Sequence, residues 1–274
     1  MRARPGYSLV ELLVAVVVTA LIGTALTRIM TVQSQFMSTQ EGRSAARSVS
    51  RTATGIIFSD LRMVEPTQGV VAATRKSVTL RVPYAMGLVC ESAGGSTVLA
   101  LMPVDSMVIA EGGFSGYAWR GTSGAYTYVT SGASLSQSGT ASTCTSTALI
   151  ELIPGGHVWT VSPAVPAGAG TPVLLFKNVT YAFQNSVLES GRVGLWRSVT
   201  SAGISDELVA PFDTSAAFGF YVDGNPTALV SPPGLHEIRG LELQLTSLNR
   251  RNANAATTPA DRTPLRTAVF FKNR

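Results

Sequence analysis

Two kinds of residue in this chain stand out for the chemistry they could do. Glu11 is the only charged residue between Tyr7 and Thr27 in an otherwise apolar run. A charged side chain in such surroundings costs about 2.5 to 3.5 kcal/mol on membrane-insertion scales, so Glu11 is expected to have a role, and pairing with a cation is the chemistry open to it. Cys90 and Cys144 are the two cysteines of the chain and could form one disulfide bond.

The residue patterns of enzymes are missing from the sequence. His157 and His236 are isolated, and there is neither an H-E-x-x-H motif nor a cysteine pair at zinc spacing. The segment GGFSGY does not fit the G-x-S-x-G motif of hydrolases. Asp213, Asp223 and Asn225 could supply oxygen ligands to calcium, but YVDGNP is typical of a plain turn. We therefore expect no enzyme activity, no cofactor and no metal.

The element that carries Glu11 is predicted to be a membrane-spanning helix. At about 1.5 Å per residue, residues 7–27 would cover the roughly 30 Å of a hydrocarbon core. Arg2 and Arg4 precede this segment, which favours a cytoplasmic N-terminus with the rest of the chain outside. A disulfide between the two cysteines can persist in that compartment, and two unpaired cysteines are the alternative.

A cleaved secretory signal peptide is the usual interpretation of such an N-terminus, and Gly23 and Ala25 would suit cleavage after Ala25. Two observations favour a retained helix instead. Glu11 would be a costly residue in a signal peptide, and apolar residues continue at helical spacing well past Ala25. The pattern predicts one helix that ends near Arg62, with Pro66 as the stop.

Beyond Pro66 the pattern changes to short strands separated by turn residues, and it predicts no second helix. The clearest strand segments are KSVTLRVPY, STVLALMPV, AYTYVTS, TALIELI, PVLLFKNVTYAF, GRVGLWRSV, AAFGFYVDG and GLELQLTSL. The sequence therefore predicts an α+β fold in which the long helix packs on an antiparallel sheet. The predicted organisation is a leader at 1–6, the helix at 7–62 and a β-rich head at 63–274. The head has a Gly/Ser/Thr-rich excursion at about 112–147, either strands or a loop.

The start MRARPGYSLVELL resembles the class III signal of type IV prepilins and type II secretion pseudopilins. In that family a short basic leader ends in Gly, an aromatic residue follows, and Glu is fifth in the mature chain; here these are Gly6, Tyr7 and Glu11. The resemblance implies cleavage between Gly6 and Tyr7 by a prepilin peptidase and methylation of the new Tyr7 amine. It also implies that Glu11 meets the N-terminal amine of a neighbouring subunit in a filament. Arg28 departs from the proline that many major pilins have at this position.

The C-terminal part is similar to the ends of larger minor components, the PilW-type minor pilins and J-type pseudopilins. The similarity rests on strand residues, namely Tyr181, Phe183, Leu195, Arg197, Phe218, Phe220, Ile238 and Arg239. It implies a minor pilin that joins or initiates a type IV pilus, with a role in motility, adhesion or DNA uptake. A pseudopilin of a type II secretion filament is one alternative, and a secreted or membrane-anchored adhesin is another.

The same resemblance implies the partners and the location. The partners are other pilins or pseudopilins bound through the N-terminal helix, the prepilin peptidase, the inner-membrane assembly platform and the membrane itself. The location is the inner (cytoplasmic) membrane, as a single-pass protein with its head outside the cytoplasm, and then the filament at the cell surface.

Basic residues form two clusters, one on the long helix and one near the C-terminus. The helix cluster is spaced by four residues and consists of Arg43, Arg47 and Arg51. The C-terminal cluster could neutralise DNA phosphates and consists of Arg250, Arg251, Arg262 and Arg266. The first cluster would ordinarily be a solvent-exposed basic face of the helix. The more specific hypothesis is that it contacts an acidic surface of a neighbouring subunit in a filament. DNA binding by the second cluster is a further hypothesis. Charge reversal of its four arginines should abolish salt-sensitive DNA binding, and absence of binding by the native chain at low salt would contradict the hypothesis.

The prepilin interpretation predicts the N-terminus of the mature protein. Mass spectrometry of protein from its native cells should find a peptide that begins with N-methylated Tyr7. A chain that begins at Leu26 would instead indicate ordinary secretion and would contradict the assembly role of Glu11.

Overall fold

A computed structural model describes residues 9–110, 112–140, 144, 150, 154–248 and 262–271 of the chain. The helices in this part are α1 (Leu9–Leu61) and α2 (Pro103–Ala110). The strands are β1 (Val70–Ala73), β2 (Ser77–Ala93), β3 (Ser96–Leu101), β4 (Gly116–Arg120), β5 (Tyr126–Val129), β6 (Ser134–Thr140), β7 (His157–Ser162), β8 (Pro172–Asn185), β9 (Val193–Val199), β10 (Ile204–Phe212), β11 (Ala217–Val222), β12 (Ile238–Leu248) and β13 (Arg262–Phe270).

The strands form one antiparallel sheet. Its main path has the order β11-β12-β10-β9-β8-β2-β3-β7-β6, while β1 pairs with β2, β13 with β12, and β4 with both β5 and β8. The two longest strands, β2 and β8, run side by side from the pair Ser77 and Ala182 to the pair Leu88 and Pro172. These two strands therefore connect the two ends of the head.

Only the C-terminal part of α1 packs on the sheet. Its buried side chains recur every three or four residues, which places them on one face of the helix: Ala46, Ser50, Ala53, Ile57 and Leu61. This stripe faces β10, β12 and β13. The part from Leu9 to Ala45 extends beyond the head, and at 1.5 Å per residue it is about 55 Å long.

A proline and a carboxylate end α1. Pro66 disfavours the helical conformation at Glu65, so the helix closes with a turn that begins at Arg62. The Glu65 carboxylate accepts hydrogen bonds from the backbone N–H groups of Thr67 at 3.0 Å and Gln68 at 2.7 Å. The chain is thereby held as it leaves the helix and enters β1.

The apolar core has two parts along one face of β8. The distal core contains Val173 and Leu175, and the proximal core contains Val179, Tyr181 and Phe183. These residues are all odd-numbered, so they point to the same face of the strand. The stripe on α1 covers the proximal core, while Ile109 of α2 packs in the distal core. Lys177 lies between the two cores.

A β-bulge in β2 keeps both cores on one face of the sheet. Tyr84 is an extra residue at the register shift between Pro83 and Ala85. Buried residues of β2 are even-numbered up to Val82 and odd-numbered from Ala85 to Val89. Without a bulge, a change of one residue would turn the second set of side chains to the opposite face.

The predicted α+β fold, with a long N-terminal helix and an antiparallel sheet, is confirmed. The expectation of no second helix is wrong, because α2 begins at Pro103, where the predicted strand STVLALMPV has already ended at Leu101. Proline suits the first position of a helix, since the N–H it lacks would have no partner there. Strands β4, β5 and β6 lie in the Gly/Ser/Thr-rich excursion. The segment TALIELI lies outside the described residues, except Ile150.

Cys90 and Cys144 form a disulfide bond, with their Cα atoms 5.5 Å apart. Cys90 occupies a second bulge of β2, at the register shift between Val89 and Glu91, and both Val89 and Cys90 are buried. Cys144 follows β6 at the edge of the sheet. The disulfide therefore ties the chain beyond this edge strand back to the central strand β2.

Loss of the disulfide should destabilise the head. The bond closes a loop between residues 54 positions apart. Loop-closure entropy predicts that C90A/C144A lowers the free energy of unfolding by about 4 kcal/mol. Denaturant unfolding of the detergent-solubilised chain would measure this loss. Reductant should destabilise the native chain but leave the double variant unchanged; equal stability of the two chains without reductant would contradict the prediction.

Candidate functional site: the long helix and its attachment to the head

The N-terminal part of α1 exposes a continuous apolar surface. Every leucine, valine and isoleucine from Leu9 to Ile29 is at least 48% exposed. The segment Leu9–Ser38 is long and apolar enough to cross a membrane, and its most apolar stretch of 18 residues has a mean hydropathy of 2.5. Such a surface is unfavourable in water, so it must be covered by lipid or by other apolar helices.

Threonine side chains of this segment donate hydrogen bonds to backbone carbonyls of the same helix. The hydroxyl of Thr19 donates to the carbonyl of Ala15 at 2.7 Å, and that of Thr27 donates to the carbonyl of Gly23 at 2.8 Å. Thr24 bonds in the same manner. A hydroxyl with an internal acceptor is cheaper to place in lipid, so these threonines are compatible with a membrane or with a bundle of helices.

Glu11 lies on α1 and is exposed. Gly6 and Tyr7, the predicted cleavage and methylation residues, lie outside the described residues. The predicted roles of Gly6, Tyr7 and Glu11 therefore stay predictions.

Three polar side chains attach the end of α1 to the sheet. The Tyr181 hydroxyl on β8 donates a hydrogen bond to the Asp60 carboxylate on α1 at 2.6 Å. Arg197 on β9 donates to the Tyr181 oxygen at 3.3 Å and lies 3.5 Å from the same Asp60 oxygen. Asp60 is one residue from the fully buried Leu61. This attachment triad of Asp60, Tyr181 and Arg197 therefore fixes the last turn of the helix over the proximal core.

The triad shifts the proton affinities of its members. Burial raises the pKa of the Tyr181 phenol, and the nearby Asp60 carboxylate raises it further. Burial acts to lower the pKa of Arg197, but the hydrogen bond to Tyr181 and the charge of Asp60 outweigh it, so the net shift is upward. The phenol therefore remains a hydrogen-bond donor and Arg197 remains a cation at neutral pH.

The strand residues noted for their family similarity are mostly core residues. Phe183 packs against Phe212 and Phe218, with ring centroids 5.8 and 5.0 Å apart. Leu195, Phe220 and Ile238 are fully buried in the same proximal core. Arg239 instead forms a surface ion pair with Asp223 at 2.9 Å. Sequence reasoning gave Tyr181 and Arg197 no function, and it missed Asp60.

The predicted basic clusters lie in different places. Arg47 and Arg51 line a cavity of about 270 Å³ between α1 and the start of β13, opposite Pro264 and Leu265. Arg266 stands on β13 opposite Gln244 of β12. Of the residues proposed to contact DNA, Arg250 and Arg251 lie outside the described residues, so that hypothesis is untested.

The residues considered for catalysis or metal binding serve local structure. His157 Nδ1 lies 3.1 Å from Nε2, the side-chain amide nitrogen, of Gln137. The Asp213 carboxylate accepts from the backbone N–H of Ser215, and the Asn225 side chain accepts from that of Thr227. Over the described part of the chain, no group of three or more His, Cys, Asp or Glu residues could hold a metal ion.

The family model for the prokaryotic N-terminal methylation motif matches residues 1–27. No curated protein and no solved structure matches the chain. The matched segment contains Glu11 and most of the exposed apolar part of α1.

The motif and the fold together support a type IV pilin-like or pseudopilin prepilin. They favour a structural subunit, and the motif fits processing by a prepilin peptidase and interaction with other pilins. They also support a membrane-anchored, single-pass protein whose head is extracellular.

The attachment triad predicts a stability effect that depends on pH. Tyr181→Phe removes the donor to a half-buried carboxylate, which should lower the free energy of unfolding by about 1 to 3 kcal/mol at neutral pH. The raised pKa of Tyr181 means that the unfolded chain loses this proton first as pH rises above about 10. The contribution of Tyr181 is thus fully present below that pH and declines above it.

Denaturant unfolding at several pH values would test this effect. The stability difference between the native chain and Tyr181→Phe should shrink above about pH 10, the ordinary tyrosine value. Tyr221→Phe on β11 is the matched control and should change stability little. A difference that does not vary with pH would contradict the assignment.

Proposed function

We propose that the chain is a minor pilin, a membrane-stored subunit that joins or initiates a type IV pilus through α1. The observation that carries the proposal is the exposed apolar helix with Glu11 inside the methylation motif. One surface can serve two environments, because lipid covers it during storage and neighbouring helices cover it in the filament.

The proposed role of Glu11 is to set the position of the incoming subunit. A carboxylate and an amine are each costly in an apolar environment, and pairing them across subunits reduces both costs. Cleavage after Gly6 would create the required amine on Tyr7. Only a subunit in the correct axial position brings these two charges together, so the pair would act as a register device.

The size of the head favours a minor over a major subunit. The chain has 274 residues. Its sheet has thirteen strands among the described residues. A head of this size is large for the repeating subunit of a pilus. A pseudopilin of a type II secretion filament would have the same kind of N-terminal helix. Detection of the protein in sheared surface pili would favour the pilus subunit over the pseudopilin.

Replacement of Glu11 tests the proposal. Glu11→Gln keeps the shape of the side chain but removes its charge, so we expect the variant to insert in the membrane and to be lost from filaments. Glu41→Gln, an exposed position of the same helix outside the apolar run, is the matched control and should assemble normally. Quantification of the subunit in membrane and sheared-filament fractions measures both outcomes. Normal incorporation of Glu11→Gln would overturn the proposed role.

A further inference from the structure

A cavity opens between the end of α1 and the start of α2, beside the first bulge of β2. Its volume is about 460 Å³, which lies in the range of pockets that hold small ligands. The lining includes Met63 after α1, Tyr84 of the bulge, Asp105 of α2 and Lys177 of β8. We call it the Lys177 cavity. It lies where the cover of the sheet by α1 ends and the cover by α2 begins.

Lys177 interrupts a row of apolar residues on β8. The core-facing residues of this strand are Val173, Leu175, Lys177, Val179, Tyr181 and Phe183. All of them except Lys177 are buried. Lysine is unusual in such a row, because its charge is costly to bury. The row therefore places a cation where the pattern of the strand predicts an apolar side chain.

The chain does not neutralise this cation. Within the described residues, the Lys177 ammonium forms neither a hydrogen bond nor an ion pair. Its nitrogen lies 5.3 Å from the centre of the Tyr84 ring, so its contact is with an aromatic face. Both side chains line the cavity. Lys177 is therefore available to a negatively charged group that enters there.

The carboxylates of the cavity already have partners. Asp60 belongs to the attachment triad and lies 3.5 Å from Arg197. Asp105 accepts a hydrogen bond from the backbone N–H of Met86 at 3.1 Å. It also stands in the first turn of α2, where the helix dipole favours a negative charge. The charged group that suits the remaining Lys177 is therefore an anion.

The surroundings favour an anion with a single charge. One lysine matches one negative charge, and Asp60 and Asp105 would repel a second. A carboxylate meets this requirement. A phosphate monoester carries about −1.5 to −2 charges at neutral pH and does not meet it.

The walls of the cavity suit an apolar ligand body. Met63 and Met86 line it and are each 43% exposed, and Val82 and Leu174 line it as well. Methionine side chains are flexible and adapt to ligands of different shape. The Tyr84 ring adds an aromatic surface, and its buried hydroxyl has no hydrogen-bond partner among the described residues. The lining thus combines one available cation with carbon-rich walls.

We propose that the Lys177 cavity binds a small organic acid with an apolar body. The carboxylate of the acid pairs with the Lys177 ammonium, and its body packs against Met63, Met86 and the Tyr84 ring. The acid supplies the negative charge that the chain does not place there. This site belongs to the head, so the inference does not depend on the filament role proposed above.

Methyl NMR of the full-length protein in lipid nanodiscs tests the site. The probe is phenylacetate, and phenylacetamide is its uncharged counterpart of nearly the same shape. Isotope labels on the methionine methyl groups make Met63 and Met86 reporters of the cavity, while Met37, exposed on α1, reports non-specific uptake. Phenylacetate should shift the Met63 and Met86 signals. It should bind about tenfold more tightly than the amide, because the amide cannot form the charge-assisted bond.

Variants separate a specific ion pair from general attraction. Lys177→Gln should lower the affinity for phenylacetate to that for phenylacetamide, whereas Lys177→Arg keeps the charge and should keep the preference for the acid. Arg62→Gln is the matched control and should bind like the native chain. Arg62 is exposed and precedes Met63, but it is not among the residues that line the cavity. Well-dispersed methionine signals show that each variant is folded.

The inference fails if millimolar phenylacetate shifts neither Met63 nor Met86. It also fails if the acid and the amide bind equally, if Lys177→Gln binds the acid as tightly as the native chain, or if Met37 shifts as much as the cavity reporters. Loss of Lys177→Gln from filaments without any binding of the acid would overturn it too, because the cavity would then serve contact with a neighbouring subunit.

Discussion

One helix must keep two different apolar surfaces away from water, and the architecture follows from that constraint. The buried stripe from Ala46 to Leu61 needs a partner that is always present, and the sheet supplies it. The exposed surface from Leu9 to Met37 is left uncovered by the described residues, and in the proposed role lipid and neighbouring helices cover it in turn. Lipid tails are about as apolar as the leucine and valine side chains of other helices. Transfer of the helix surface from lipid to neighbouring helices therefore exposes little additional apolar area to water. Polar contacts therefore determine the axial position that the helix takes among its neighbours.

The head is organised around the fixed stripe. The long strands β2 and β8 carry the proximal core under α1 and the distal core under α2, and the bulge at Tyr84 keeps both cores on one face. Tyr181 belongs to the core through its ring and to the attachment triad through its hydroxyl. The same side chain therefore contributes apolar burial and directional bonding where the helix ends.

Much of the fold could be predicted from the sequence, because periodicity is a local signal. The apolar run around Glu11, the helix stop at Pro66 and the period-two segments such as PVLLFKNVTYAF need no knowledge of partners. The short helix α2 was missed because eight residues hold little periodicity and VIA suits a strand equally well. The bulge at Tyr84 leaves no local signal, since the extra residue is defined only by the register of β8.

The residues of the candidate site also differ in whether a local sequence signal marks them. Glu11 is conspicuous because its neighbours are all apolar, whereas Asp60 is an ordinary polar residue of a helix until Tyr181, at a sequence distance of 121, is placed beside it. The one available hint was a carboxylate immediately before the apolar residue Leu61 near the helix end. Glu207 on β10 was missed for the same reason, because its carboxylate accepts hydrogen bonds from the backbone N–H groups of Val187 and Leu188, twenty and nineteen positions away.

The way α1 lies on the sheet also determines how the protein bears mechanical load. The stripe from Ala46 to Leu61 runs about 22 Å parallel to the helix axis. A pull on the N-terminal end of α1 is directed along this contact, so its side chains resist sliding together instead of separating one at a time. The attachment triad lies at the far end of the stripe, where the last turn would have to move. A pull along α1 therefore loads the contact between the helix and the sheet in shear. This geometry suits a subunit that is held by the N-terminal end of its helix.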